Sequence, residues 1–120
     1  MKRDRFDLLH GLRKIRLDAC RLQLASVDHC ADVLETQVRE LVHAVDSALT
    51  QHRQAVSAGG VDVGSVVECR RRRHELRGGL GMLSRRQSLV NELAVLARAN
   101  LREAVRQVEV IEKLVEKTSG

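Results

Sequence analysis

The chain has no proline, tryptophan or tyrosine and a single phenylalanine in 120 residues. Without proline, no ring interrupts a long helix. Without aromatics, a compact core lacks its largest fillers and the usual platforms for stacking bases are missing. Nowhere do about 18 apolar residues run together, so no membrane-spanning helix is expected. The stretch from Met1 to Arg16 scatters Arg and Asp among its apolar residues and forms no signal peptide. Cysteine is scarce and odd in number: Cys20, Cys30 and Cys69 suggest no disulfide framework in an unexported chain. These absences predict a cytoplasmic location or one at the inner side of a membrane assembly.

What is present is aliphatic and charged. Hydrophobic residues make up 43% and Asp, Glu, Lys and Arg 31%, enough apolar content for a folded chain. The length suits one domain. Two heptad seams dominate. The first runs Leu17, Cys20, Leu24, Val27, Ala31, Leu34, Val38, Leu41, Val45, Ala48, His52, Ala55. The second runs Val66, Cys69, Arg73, Leu76, Leu80, Leu83, Gln87, Val90, Ala94, Ala97, Leu101, Ala104, Val108, Ile111, Val115. Steps alternating three and four hold one stripe against a partner helix, the condition for left-handed coiled-coil packing.

Between the seams, Ser57 to Gly64 contains Gly59-Gly60, a place for the chain to reverse. Ser65 with Glu68 reads as a capping box opening the second helix. The expectation is therefore an all-α protein, a long antiparallel two-helix coiled-coil hairpin. It is one domain over 1–120, with arm 1 over about 4–57, a turn at 58–64 and arm 2 over about 65–118. Gly78, Gly79 and Gly81 leave a second possibility, a break followed by a capping box at Ser84 and Gln87, giving three helices.

Catalytic signatures are missing. No Gly-Lys-Ser/Thr follows the glycines at 78–81, so no phosphate loop is present. His10, His29, His43, His52 and His74 form no His-Glu-x-x-His face, and the His29-Cys30 neighbours have no second pair at finger spacing. No enzyme, metal or cofactor is expected.

Two surface features suggest contacts. Between residues 70 and 86, Arg70, Arg71, Arg72, Arg73, Arg77, Arg85 and Arg86 face only Glu75, a local +6 in a chain of net charge +5. Such a patch suits an acidic partner or a phosphate backbone, or it is a solvated helix face. The second feature is an additional apolar stripe: Leu8, Leu12, Ile15, Ala19 and Leu22 on arm 1, with Leu89, Leu93, Leu96, Val110 and Leu114 on arm 2. Antiparallel pairing with position numbers totalling about 121 gathers most of these near the termini. A two-helix hairpin buries one face of each arm, so the surplus predicts an outside partner or association into a four-helix bundle.

With these features the whole chain resembles the flagellar export protein FliJ and the YscO-like stalk proteins of type III secretion. The resemblance lies in Phe6-Asp7-Leu8-Leu9 with Leu12-Arg13, the central glycine turn, Leu76-x-x-x-Leu80 with Gln87 beyond, and the finish Arg106-Gln107-Val108-Glu109 through Glu112-Lys113-Leu114. Aromatics often found near that family's turn are missing. The resemblance implies a non-enzymatic cytoplasmic stalk, peripheral to the inner-membrane export apparatus, that couples a hexameric export ATPase to the cytoplasmic part of the export gate and escorts export chaperones. Leu8, Leu12, Ile15, Leu22, Leu89, Leu93, Leu96, Val110 and Leu114 would then dock in the ATPase ring. Val42, Leu49, Arg70, Arg71, Arg72, Leu76, Arg77 and Leu80 would meet the gate or another acidic partner. The alternative reading is a small basic nucleic-acid-binding helical homodimer.

Overall fold

The structure is a computed structural model and describes residues 2–57, 59 and 62–119. It is an all-α helical hairpin. Helix α1 spans Lys2–Ser57 and helix α2 spans Val63–Ser119. α2 continues without interruption through Gly78, Gly79 and Gly81, so the three-helix possibility falls away. The seam explains why: Leu76, Leu80 and Leu83 stay on the packed side across the glycines, and their burial offsets the entropy those glycines cost.

The reversal is built differently from the capping box that the sequence suggests. Gly59 takes a positive φ of 79°, a backbone region that favours glycine. Gly60, the other half of the expected turn, lies outside the described residues. Asp62, not Ser65, caps α2. The Gly64 N–H donates to Asp62 Oδ1 at 3.1 Å, and the Val66 N–H donates to the Asp62 carbonyl at 3.1 Å. The first bond satisfies a donor that the first helical turn leaves without a partner, and the second is the first i→i−4 bond of the helix. Ser65 lies one turn inside, its hydroxyl donating to Asp62 Oδ2 at 3.2 Å, and Glu68 turns outward to Arg71.

Contacts divide the chain into two units: a terminal unit, Met1–Cys30 with Val90–Gly120, and a turn unit, Ala31–Leu89. In both, low-numbered residues meet high-numbered ones, as antiparallel helices require. In the terminal unit, Arg13 Nη1 donates to Gln107 Oε1 at 2.8 Å, His10 Nε2 lies 3.2 Å from Glu112 Oε1, and Arg98 Nη2 lies 3.8 Å from Asp28 Oδ1. In the turn unit, Gly79 packs beside Leu41.

Burial follows the seams residue by residue. Every second-seam position from Val66 to Val115 is buried or half-buried, as is every first-seam position from Leu17 to His52. Ala55 is exposed: the first seam stops one step earlier than its spacing suggests, because the helix is about to end at Ser57. At the other end the packed side extends past Leu17 to half-buried Arg13, His10, Leu9 and Phe6. The terminal unit's core is the cluster Leu17, Cys20, Ala104 and Val108, with Leu101 and Val105 against it. Ala104 is 1% exposed and Ala97 3%; these small side chains let the helices close together.

Candidate docking surface

Heptad labels, with the seams as positions a and d, turn the remaining residues into sides. Asp28 and Arg98 both occupy e positions and pair with each other, so the e edges of the two helices lie on one side. In the turn unit Gln37, Ala44 and Arg86, all at g, line one groove of about 400 Å³ with Glu40, Leu41 and Leu83. Within either unit the e and g edges flank the seam on opposite sides.

The terminal unit carries most of its exposed leucines to one side in these terms. Its e edge carries Asp7, Lys14, Arg21, Asp28, Asn91, Arg98 and Glu112, interrupted by Val105. Its g edge and the adjoining c positions carry Leu9, Leu12, Leu93, Leu96, Val110 and Leu114, interspersed with Arg5, Arg16, Gln23, Asn100, Glu103 and Gln107. Leu8, Ile15 and Leu22 follow at f, on the back of α1. Except for half-buried Leu9, all of these apolar residues stand between 40% and 73% exposed. Lone exposed leucines are ordinary, but a contiguous set on one side of a fold marks a contact surface. A cleft of about 150 Å³ opens beside Val110, between Arg13 and the α2 residues Glu103, Arg106, Gln107 and Ile111.

The residues singled out from the sequence thus separate into groups. Leu8, Leu12, Ile15, Leu22, Leu93, Leu96, Val110 and Leu114 all lie exposed in the terminal unit, whereas Leu89, also exposed, belongs to the turn unit. Among the proposed gate contacts, Val42 is exposed, but Leu49, Leu76 and Leu80 are half-buried, and the last two are seam residues holding the helices together.

The arginines do not make one face. A helix turns about 100° per residue, so Arg70 and Arg77 fall at e, Arg71 and Arg85 at f, Arg72 and Arg86 at g, and Arg73 in the seam. Arg71 Nη2 donates to Glu68 Oε1 at 2.6 Å, and this hydrogen bond and charge, with Glu75 beyond, raise its pKa above the ordinary arginine value. No ion pair among the described residues engages Arg70, Arg72, Arg77, Arg85 or Arg86. Arg73 is half-buried, and its Nε and the Nδ1 of His52, also in the turn unit's seam, are buried without hydrogen-bond partners.

Among the described residues no three His, Cys, Asp or Glu side chains converge as a metal site, and no helix is long and apolar enough to cross a membrane. All three cysteines are free; Cys20 is buried in the seam, where a thiol packs as a small apolar group. No family model, curated protein or solved structure matches the chain. Its function must therefore be argued from the two-helix scaffold and its surfaces.

Sequence reasoning found the exposed stripe through surplus leucines spaced by three and four. It missed how one-sided the surface is, and it missed the cross-helix pairs of Arg13, His10 and Asp28. The signal was available once both seams had been phased: His10 and Arg13 continue the first seam toward the N-terminus, and Asp28 and Arg98 share the e edge.

Proposed function

We propose that the chain is a non-enzymatic coiled-coil stalk that docks a partner on the g side of its terminal unit. The observation that supports this is the exposed set Leu12, Leu93, Leu96, Val110 and Leu114 beside a seam that is already filled. Fully burying one leucine contributes about 1.5–3 kcal/mol, so a few of them supply useful binding energy. On the resemblance to FliJ and the YscO-like proteins, the partner is the hexameric ATPase of a flagellar or type III protein export apparatus. The stalk would work in the cytoplasm, peripheral to the inner-membrane machinery. The turn unit, with Val42, Leu49 and its arginines, would then face the export gate, and the rod would also meet export chaperones. Leu76 and Leu80 would serve that contact only indirectly, by holding the turn unit together.

The test is capture of purified export ATPase by the immobilised chain. The wild type should retain the ring, and the double variant Leu93→Glu, Leu96→Glu should lose it while keeping its helical circular dichroism. An intact wild-type chain that never retains such a ring defeats the export assignment.

The unpaired arginines favour a second reading, a nucleic-acid contact along the turn unit. It requires affinity for DNA or RNA that falls steeply with salt and disappears when Arg70, Arg71 and Arg72 become Gln.

A further inference from the structure

The arginines of α2 in the turn unit are spread so widely around the helix that one flat contact could not use them. Arg70 and Arg77 at e lie about 200° round from Arg72 and Arg86 at g, with Arg85 at f between. All five are exposed, and none enters an ion pair among the described residues. A flat protein surface meets one of these edges at a time, whereas a groove that takes in the outer half of the helix meets both. The core of a protein interface is also depleted of charge, yet over 70–86 Met82 is the one large exposed hydrophobic residue.

The glycines fall on the same outer half. Gly78 stands at f between Arg71 and Arg85, and Gly81 at b. Both are exposed, and a Cβ built on either would meet nothing within 4 Å. Packing within the chain therefore does not require them, although each weakens the helix relative to alanine. Bare backbone among unpaired arginines lets a ligand approach closely.

The chemistry that fits is a polyanion with a groove. The major groove of B-form DNA, about 12 Å wide, admits a helix about 10–12 Å across. The A-form groove of duplex RNA is too narrow. Single strands call for aromatic platforms, which this chain lacks. On α1 the same unit carries Asp32, Glu35, Glu40 and Asp46 against Arg39 and Arg53, so a polyanion meets α2 instead.

We infer that the outer half of α2 over 70–86 enters the major groove of duplex DNA, with Arg70 and Arg77 on the phosphates of one strand and Arg72 and Arg86 on those of the other. Gly78 and Gly81 let the helix sit deep. The inference rests on the nucleic-acid reading and narrows it to a B-form duplex and to one half of one helix. Phosphate contacts carry no sequence information, so affinity should depend little on sequence.

Fluorescence anisotropy of a short labelled DNA duplex titrated with the full chain, between about 50 and 200 mM salt, tests it. The logarithm of the wild-type affinity should fall against that of salt with a slope of about −5, from some five or six phosphates neutralised. Arg70→Gln with Arg77→Gln, and separately Arg72→Gln with Arg86→Gln, should each weaken binding about tenfold or more and flatten the slope by about 2. Glu75→Gln, which removes the one acidic residue over 70–86, should tighten it. Gly78→Leu should weaken binding about tenfold with no loss in urea midpoint. Helical circular dichroism checks that every variant is folded. Equal affinity for single-stranded DNA or duplex RNA, an effect from one arginine pair alone, a Glu75→Gln chain that binds no more tightly, or a Gly78→Leu chain that binds normally would each overturn the inference and leave the nucleic-acid reading standing. Absence of binding to any nucleic acid would end both, as would equal affinity for polyglutamate, which would assign the arginines to an acidic protein.

Discussion

The terminal and turn units share one heptad rhythm and fill it with different chemistry. In the terminal unit the buried set includes Leu17, Cys20, Ala94, Ala97, Ala104, Val108 and Ile111. In the turn unit Ala48 alone among the described residues reaches that burial, and the seam passes through His52, Arg73 and Gln87. Glycines also concentrate there: Gly78, Gly79 and Gly81 lie within one turn of α2. The spacing of apolar residues therefore decides that two helices pair, while the identity of the residues decides how tightly. The outsides differ too: exposed leucines stand on the terminal unit, Leu89 excepted, while arginines stand on both units and crowd together only over 70–86 of the turn unit.

The largest test of this difference truncates one seam leucine in each unit. Leu17→Ala removes a buried side chain from the cluster with Cys20, Ala104 and Val108. It should cost about 2–4 kcal/mol by urea unfolding, because a void is left as well as a transfer term. Leu83→Ala, at a half-buried position lining an open groove, should cost about 1–2 kcal/mol, since water reaches part of the site already. Equal losses would erase the contrast. Amide hydrogen exchange should rank the units in the same order, with slower exchange around residues 101–108 than around 76–83.

The next effect has the opposite sign. Arg73 occupies a seam position and buries a donor, Nε–H, that has no partner. An unsatisfied buried polar atom costs about 1–3 kcal/mol, so Arg73→Leu should raise stability by about 1–2 kcal/mol and narrow the gap between the units. The variant also tests what the residue is for. A polar side chain in a seam fixes which residues face each other, so a stabilised Arg73→Leu chain with new, concentration-dependent species would assign Arg73 to register. A destabilised one would show that its aliphatic stem is already well packed.

The cap at the start of α2 comes third. Asp62→Ala removes the acceptor used by the Gly64 N–H and by the Ser65 hydroxyl, and should cost about 1 kcal/mol. If Ser65→Ala were the more damaging change in thermal or urea unfolding, the capping box suggested by the sequence would be the better description.

The cap illustrates what could and could not be read in advance. Alternation of three and four, unbroken by proline, is enough to place the seams, because no other fold buries residues at that period over such a length. The choice of cap is local and closely balanced. Asp62 and Ser65 are both good capping residues, and Glu68 has the correct spacing for a box with Ser65; what decides is that Val63 and Gly64 join the helix. The exposed stripe was legible as surplus leucine. Its sidedness depends on how the e and g edges of one helix meet those of the other, a relation between distant segments. The isolation of Arg73 Nε is still less accessible, since a long side chain at a seam position often bends its head group out to water.

The smallest prediction concerns the glycines of α2, where the two units differ without any contact being lost. A side chain built on Gly78 or Gly81 meets nothing within 4 Å, so alanine there adds helix propensity and no strain. Gly78→Ala should stabilise the turn unit by up to about 1 kcal/mol, and Gly81→Ala by a similar amount. Gly79 is the informative control. Its added Cβ would sit 3.4 Å from Leu41 Cδ2, so Leu41 must shift slightly, and the gain should be smaller than at either neighbour. Urea midpoints for the three single variants give the ranking directly. If Gly79→Ala stabilises most, the turn unit is loosely packed at Leu41 and has room to spare. If all three destabilise, the glycines serve a bend or a contact that outweighs helix propensity.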